Sequence, residues 1–357
     1  MAYTTIDDPS AHFQTKLYTG NSTNNTAITN DGNSDLQPDF IWAKSRSNTH
    51  YHDLRDSTRG VTKRLVSNDS GAEGTKDQSY VSFDSDGFTL GDDTDSGGSA
   101  LNTINTSSNN YVAWQWKANG GTTTAGGGDD TIATSTHQAN TTAGFSIVTY
   151  TGEEANKTVK HGLSTALDML LVKNRDTAKD WRMWFKGFSG TERLQLNDTS
   201  AKATTNTSWN GTVPSSSVFS LGDDTNTNTD GDKFVAYCFH SVQGYSKFGS
   251  YTGNGNTDGP FVYTGFKPAW VMVKETSGTG QWRMRDNKRS TVNPVGVVLY
   301  ANGTNAEATE DNVDFLSNGF KFRHTSSHAN GDGETYIYMA FAEHPFVSSE
   351  GVPTTAR

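Results

Sequence analysis

A single cysteine, Cys238, stands among the 357 residues, which excludes an internal disulfide framework. In the alternating stretch FVAYCFH it reads as a small buried strand residue, not an activated nucleophile. Lys and Arg number 29 against 39 Asp and Glu, a formal net charge of -10, and they form no basic stripe. A nucleic-acid partner is therefore not expected, because neutralising phosphates needs a clustered basic face. No apolar run approaches the roughly 20 residues of a membrane-spanning helix, and the opening MAYTTIDDPS has neither the basic nor the apolar region of a signal peptide. Membrane insertion is not expected either. No Gly-x-Ser-x-Gly elbow occurs, and the glycines at 126–128 lack the preceding strand and following Lys-Ser or Lys-Thr of a phosphate loop. No motif marks a carboxylate pair for glycan cleavage, so the chain is expected not to be an enzyme.

What the chain does have is aromatic residues, 11% of the total where hydrophobic residues of all kinds make up only 32%. Its 36 glycines and many Thr, Ser and Asn would suit a disordered chain. The rings decide otherwise, because they come in periodic blocks that supply the buried area needed to offset ordering entropy. The stretch YVAWQWK at 111–117 returns as FVAYCFH at 234–240 and as YMAFAEH at 338–344. In a strand, Val112, Trp114 and Trp116 share one face. Three other stretches end in Tyr-Thr-Gly: FQTKLYTG from Phe13, FSIVTYTG from Phe145 and YSKFGSYTG from Tyr245. Three apolar runs end in lysine: DFIWAK from Asp39, DMLLVK from Asp168 and AWVMVK from Ala269. The separation from that tyrosine to that lysine is 26, 23 and 23 residues, so a register is kept. Further blocks follow in the same order: WRMWFK and WRMRDN, with YHDLRD the weaker counterpart; then RLVSND, RLQLND and VVLYANG, each running into a turn; then SDGFTLG, SSVFSLG and SNGFKF.

Six or so short strands per copy, with turn signals between them and no sustained helical period, predict an all-β protein of three tandem β-sandwich modules, jelly-roll or lectin-like. The expected division is 1–117, 144–240 and 244–346, with a linker at 118–143 that is almost devoid of apolar residues and a C-terminal tail at 347–357. On this reading the aromatic strand fills each sandwich. Trp114, Tyr237 and Phe341 occupy its equivalent positions, and the first module sits apart from the other two.

These blocks resemble a family of repeat proteins of tailed, especially marine, bacteriophages, described as tail-fibre-like or concanavalin A-like lectin-like. The resemblance is carried by MAYTTIDDPSAHFQTKLYTGN, NSDLQPDFIWAKSRS, SFDSDGFTLG, YVAWQWKA, ANTTAGFSIVTYTG, HGLS and VKNRD, and spans nearly the whole chain. It implies a virion structural protein, a fibre or appendage unit in assembly and host adhesion. The alternatives are a capsid decoration protein or a receptor-recognising lectin. The implied partners are other virion proteins, further copies of the chain, and host surface glycan.

Few residues stand out as ligands. Trp209 and Asn210, in the polar stretch TNTSWNGT, either lie under a sugar or belong to a loop whose tryptophan folds back as a lid on the core. Asp92, Asp93 and Asp95 of LGDDTD, with Asp223 and Asp224 of LGDDTNTNTD, stack oxygens as calcium ligation would want them, without the EF-hand spacing; solvated turns are the alternative. Calcium is the one cofactor the sequence suggests, and the expectation is that none is required. His161 reads as a turn residue, since no partners for a zinc site cluster with it.

Overall fold

A computed structural model describes residues 2–96 and 103–354. It is all-β, with two four-residue helices, Thr225–Asn228 and Ser327–Asn330, and two short 3-10 turns. The blocks of each repeat pair in one order. Phe13–Thr19 lies beside Asn110–Trp116, which lies beside Phe40–Ser45 and then Asp53–Asp56. Phe145–Thr151, Lys233–Phe239, Met169–Asn174 and Arg182–Phe185 repeat that order, as do Ser246–Thr252, Thr335–Pro345, Phe266–Glu275 and Arg283–Asp286. All these pairs are antiparallel. The last strand of each repeat thus becomes its central strand, flanked on both edges and buried on both faces, which is why its sequence is nearly all apolar. A smaller pairing recurs too: Thr26–Ile28 with Gly87–Leu90, Lys157–Lys160 with Val218–Leu221, and Phe261–Tyr263 with Gly319–Phe322. In the third repeat Val295–Tyr300 and Ala308–Leu316 join this pair to the main strands, giving a nearly closed, barrel-like sheet.

The alternation of the central strand sets the packing. Tyr111 and Ala113 point into a core confined to the first repeat, together with Tyr18, Ile41, Phe88 and Leu90. Val112, Trp114 and Trp116 point the other way, into a core that also holds Tyr237, Phe239, Trp270, Met339 and Phe341. The aromatic face therefore does not fill its own repeat, as the sequence reading had it, but meets its counterparts in a core shared by all three. Trp116 and Phe239 each approach Phe341, with centroids 5.6 and 6.2 Å away, and Phe40 of the first repeat stacks on Tyr237 of the second at 4.4 Å. At roughly 1.5–3 kcal/mol per fully buried large side chain, this core is the largest apolar contribution to the fold.

Three expectations need correction. The segment 118–143 is not a free linker: Ser135–Asn140 pairs with Phe145–Thr151 and Thr124–Ala125 pairs with it in turn. Its start is tied to the first repeat, the amides of Ala118 and Gly120 donating to Asp39 Oδ2 at 2.7 and 2.9 Å. Nor is the first repeat set apart, since it contributes to the shared core. Finally, the third copy is displaced by two residues. Tyr18, Tyr150 and Tyr251 face Tyr111, Phe234 and Tyr336, so the counterpart of Trp114 and Tyr237 is Met339, and Phe341 matches Trp116 and Phe239. A shift of two keeps every side chain on its face, so periodicity alone does not reveal it.

The Tyr-Thr-Gly motif has a specific task. Each tyrosine hydroxyl donates to a carbonyl, Tyr18 to Ile104, Tyr150 to Thr227 and Tyr251 to Ala329, at 3.0, 2.6 and 2.7 Å. The residue after that carbonyl is a buried asparagine, Asn105, Asn228 or Asn330. Its Oδ1 accepts the amide that follows the glycine, from Asn21, Glu153 and Asn254, at 3.0, 2.9 and 2.9 Å. The glycine is required by close approach: a Cβ on Gly20, Gly152 or Gly253 would fall 2.3, 2.2 and 2.2 Å from a carbonyl oxygen. Asn228 Nδ2 also donates to Ala155 and Gly222 carbonyls, both at 2.7 Å. Replacing Asn228 by Ala orphans three backbone groups and should cost roughly 2–4 kcal/mol in urea unfolding; an unchanged midpoint would show that the clamp does not hold the turn.

Candidate functional site

The repeats close into a ring, and each seam is built from the same positions. A backbone amide crosses every seam: Glu73 to the Arg175 carbonyl, Lys202 to Thr276 and Glu307 to Arg46, at 2.8, 3.0 and 2.9 Å. A ring nitrogen from the start of the fourth strand crosses beside it. Trp181 Nε1 donates to the Val66 carbonyl at 2.8 Å, Trp282 Nε1 to Gln195 at 2.9 Å, and His52 Nε2 contacts Tyr300 O at 2.9 Å. Two seams add a bidentate ion pair, Arg46 with Glu307 and Arg175 with Glu73. At the third, the same places hold Thr276 and Lys202, and Lys202 pairs instead with Glu192 of its own repeat at 2.5 Å.

Deeper in, two seams carry fully buried ion pairs. Asp56 and Arg59 meet at 2.5 Å, and Asp286 and Arg289 at 2.6 Å. Each carboxylate also accepts from the central strand of another repeat: Tyr237 Oη donates to Asp56 Oδ2 at 2.7 Å, and Trp114 Nε1 to Asp286 Oδ2 at 3.1 Å. Burial pushes the Tyr237 hydroxyl well above its ordinary pKa, so it stays a donor. In the second repeat the corresponding pair is Phe185 and Phe188, and the corresponding central-strand residue is Met339, which has no proton to donate. Polar partners occur together and apolar partners occur together, as the cost of an unpaired buried charge demands.

The block-ending lysines, Lys44, Lys173 and Lys274, are all buried. Their ammonium groups donate to the next residue's carbonyl, Ser45, Asn174 and Glu275, at 2.8, 2.7 and 2.6 Å. Desolvation pushes them down to about 7, 8 and 8. At the same end of the ring the turns Asn68–Ser70, Asn197–Thr199 and Asn302–Asn305 surround an open depression of about 580 Å³, with Tyr51 and Gln281 on its rim. Each turn is anchored by its asparagine, whose Oδ1 accepts the amide of His52, Trp181 or Trp282 at 2.9 Å. A smaller cleft of about 210 Å³ lies between the first and third repeats, beside Phe13, Lys288 and His344. It occurs where Thr15 occupies the position that Ile147 and Phe248 fill in the other copies.

The residues singled out from sequence do not form a site. Trp209 is only 1% exposed; its indole donates to the Glu192 carbonyl at 3.2 Å and its ring belongs to the shared core, so it is the lid and not an open platform. Asn210 sits beside it at positive φ and is exposed. Asp93 is buried and accepts from Ser79 Oγ and from the Ile104 and Asn105 amides at 2.8, 2.5 and 3.0 Å. Asp92 accepts from Thr94, and Asp95 from the Gln78 amide at 2.9 Å. Asp224 caps the helix Thr225–Asn228 and takes Arg182 Nε at 3.2 Å, while Asp223 points to solvent. These loops present the clamp asparagines. Among the described residues no group of three or more His, Cys, Asp or Glu is placed to hold a metal ion. His161 donates to Ser215 O and accepts the Leu163 amide within a turn. Cys238 is buried, and burial pushes its thiol up.

Geometry of this kind defines a class: an all-β protein whose three repeats close on a common core and bring their polar turns to one end. The chain belongs to the family described as a domain of unknown function, DUF7483, whose model matches residues 8–345 and so takes in all three repeats as one unit. Comparison with curated proteins and with solved structures found no match.

Replacing Asp56 by Ala removes the carboxylate that takes Arg59 Nε and the Tyr237 hydroxyl proton, leaving Arg59 with Glu73 as its remaining carboxylate, and should cost about 1–3 kcal/mol. Importing the apolar solution of the other seam, with Asp56→Phe, Arg59→Phe and Tyr237→Met together, should restore most of that loss. If the triple variant unfolds at lower urea than the single one, the seams are not interchangeable and the equivalence drawn here fails.

Proposed function

We propose that the chain is a non-enzymatic structural protein of a tailed-bacteriophage virion, a fibre or appendage unit acting in particle assembly and host-surface adhesion. Each repeat, on this reading, is a β-sandwich module of jelly-roll or lectin-like kind, its main sheet backed by the smaller one. The observation that carries the reading is where the reactive groups go: the buried carboxylates Asp56 and Asp286 accept from the central strand of another repeat, and indole heads cross the seams, so these groups fasten one repeat to the next. The product is a rigid block with a Thr- and Asn-rich exterior, suited to shallow polar contacts with other virion proteins and with further copies of the chain. Many such contacts on one particle gain strength by multivalency. No cofactor enters this reading.

A second reading, a glycan-binding virion lectin, is favoured by the depression at the end of the ring, where half-buried Tyr51 borders the amides of Asn68, Asn197 and Asn302. Mass spectrometry of purified particles from the encoding phage should find the chain at a fixed ratio to the major capsid protein, and the purified chain should release no reducing sugar from host envelope glycan. Absence from particles, or sugar release, contradicts the proposal. Saturable binding of host oligosaccharide, lost on Asn197→Ala, selects the lectin form of it.

A further inference from the structure

Two of the three seams are latched by indoles, which do not titrate; the third is latched by an imidazole. We propose that the seam between the first and third repeats is an acid-sensitive joint, held shut by neutral His52 and released when that ring is protonated, while the seams latched by Trp181 and Trp282 stay closed.

The hydrogen bonds fix the state of the ring. Trp42 Nε1 donates to His52 Nδ1 at 2.8 Å, so Nδ1 carries no proton, and Nε2 is left to donate to the Tyr300 carbonyl of the third repeat at 2.9 Å. His52 is fully buried. A proton on Nδ1 would set two N–H groups face to face and place a charge in the shared wall. The charged neighbours oppose that charge. Lys44 lies on the adjacent strand, and Arg289 reaches in from the third repeat. Arg64 donates to the His52 carbonyl, and His50, two residues away, is itself buried near Lys44. The nearby carboxylates are committed elsewhere: Asp53 to Arg55 and Arg64, Asp286 to Arg289, and Glu307 to Arg46. Burial first, then Lys44, push the imidazole down to about 3, although the carbonyls of Tyr300 and Gly303 work the other way.

The sign follows from linkage. A ring released from the seam regains its ordinary value of 6.5, so the closed seam is fully favoured above that pH. Its opening equilibrium then rises by up to about tenfold per pH unit as the pH falls toward 3. His161 and His324 are likewise pushed down to about 4. Their hydrogen bonds stay within their own repeats, so they soften the second and third repeats internally and leave the seams alone.

Each seam contains its own reporter, the crossing amide of Glu73, Lys202 or Glu307. Hydrogen exchange of the full chain, corrected for intrinsic rate, should show the opening constant at Glu307 rising about 25-fold between pH 7 and pH 5, with Glu73 and Lys202 nearly flat. His52→Gln keeps an acceptor for Trp42 and a donor for Tyr300 but cannot titrate, and it should abolish the rise at Glu307. Equal rises at all three amides, or a rise that survives in His52→Gln, would overturn the proposal. Should that variant not fold, the comparison of the three amides in the unaltered chain decides alone.

Discussion

The fold depends on an aromatic face that no single repeat can cover. Each central strand already uses one face for its own core, where Tyr111 and Ala113, or Tyr336, Tyr338 and Ala340, are packed. The opposite face, Val112, Trp114 and Trp116 in the first repeat, would be left in water if the repeat stood alone, an exposed apolar surface of the kind soluble proteins rarely tolerate. Three such faces turned toward one another solve the problem together. Closure, and not tandem stringing, follows from where the rings sit.

A ring of three copies is free to vary at each seam as long as the two sides vary together. Asp56 and Arg59 face a tyrosine hydroxyl, Asp286 and Arg289 face an indole, and Phe185 and Phe188 are matched with a thioether. Arg46 with Glu307 and Arg175 with Glu73 show the same coupling nearer the surface, against Thr276 and Lys202. Divergence among the repeats has therefore run across the seams and not only along the chain. One consequence is chemical asymmetry in a regular frame, with an imidazole at the latch position of one seam and indoles at that position in the other two.

Much of this was legible beforehand, for physical reasons. The Tyr-Thr-Gly, lysine and asparagine-turn blocks marked three copies because each fixes a local geometry that tolerates few residues: a glycine pressed against a carbonyl, an ammonium closing a turn, an amide holding the next strand. The partner of the aromatic face was not legible, since periodicity tells which residues share a side and not what covers it. The two-residue displacement at Met339 and Phe341 was hidden for the same reason. Ser135–Asn140 forms an inner strand despite its polar sequence because backbone pairing needs no apolar side chains, and Thr136 adds a hydroxyl contact to Thr149 across the pair. Trp209 was ambiguous in a polar loop, where only tertiary contacts settle whether a ring faces in or out.

The central claim is that one shared core makes the three repeats a single cooperative unit. Scanning calorimetry of the full chain at neutral pH tests it most directly, through the ratio of van't Hoff to calorimetric enthalpy. One transition with a ratio near unity is the predicted result. Separate transitions, or a ratio far below unity, would mean that the repeats unfold independently and that the aromatic faces do not couple them.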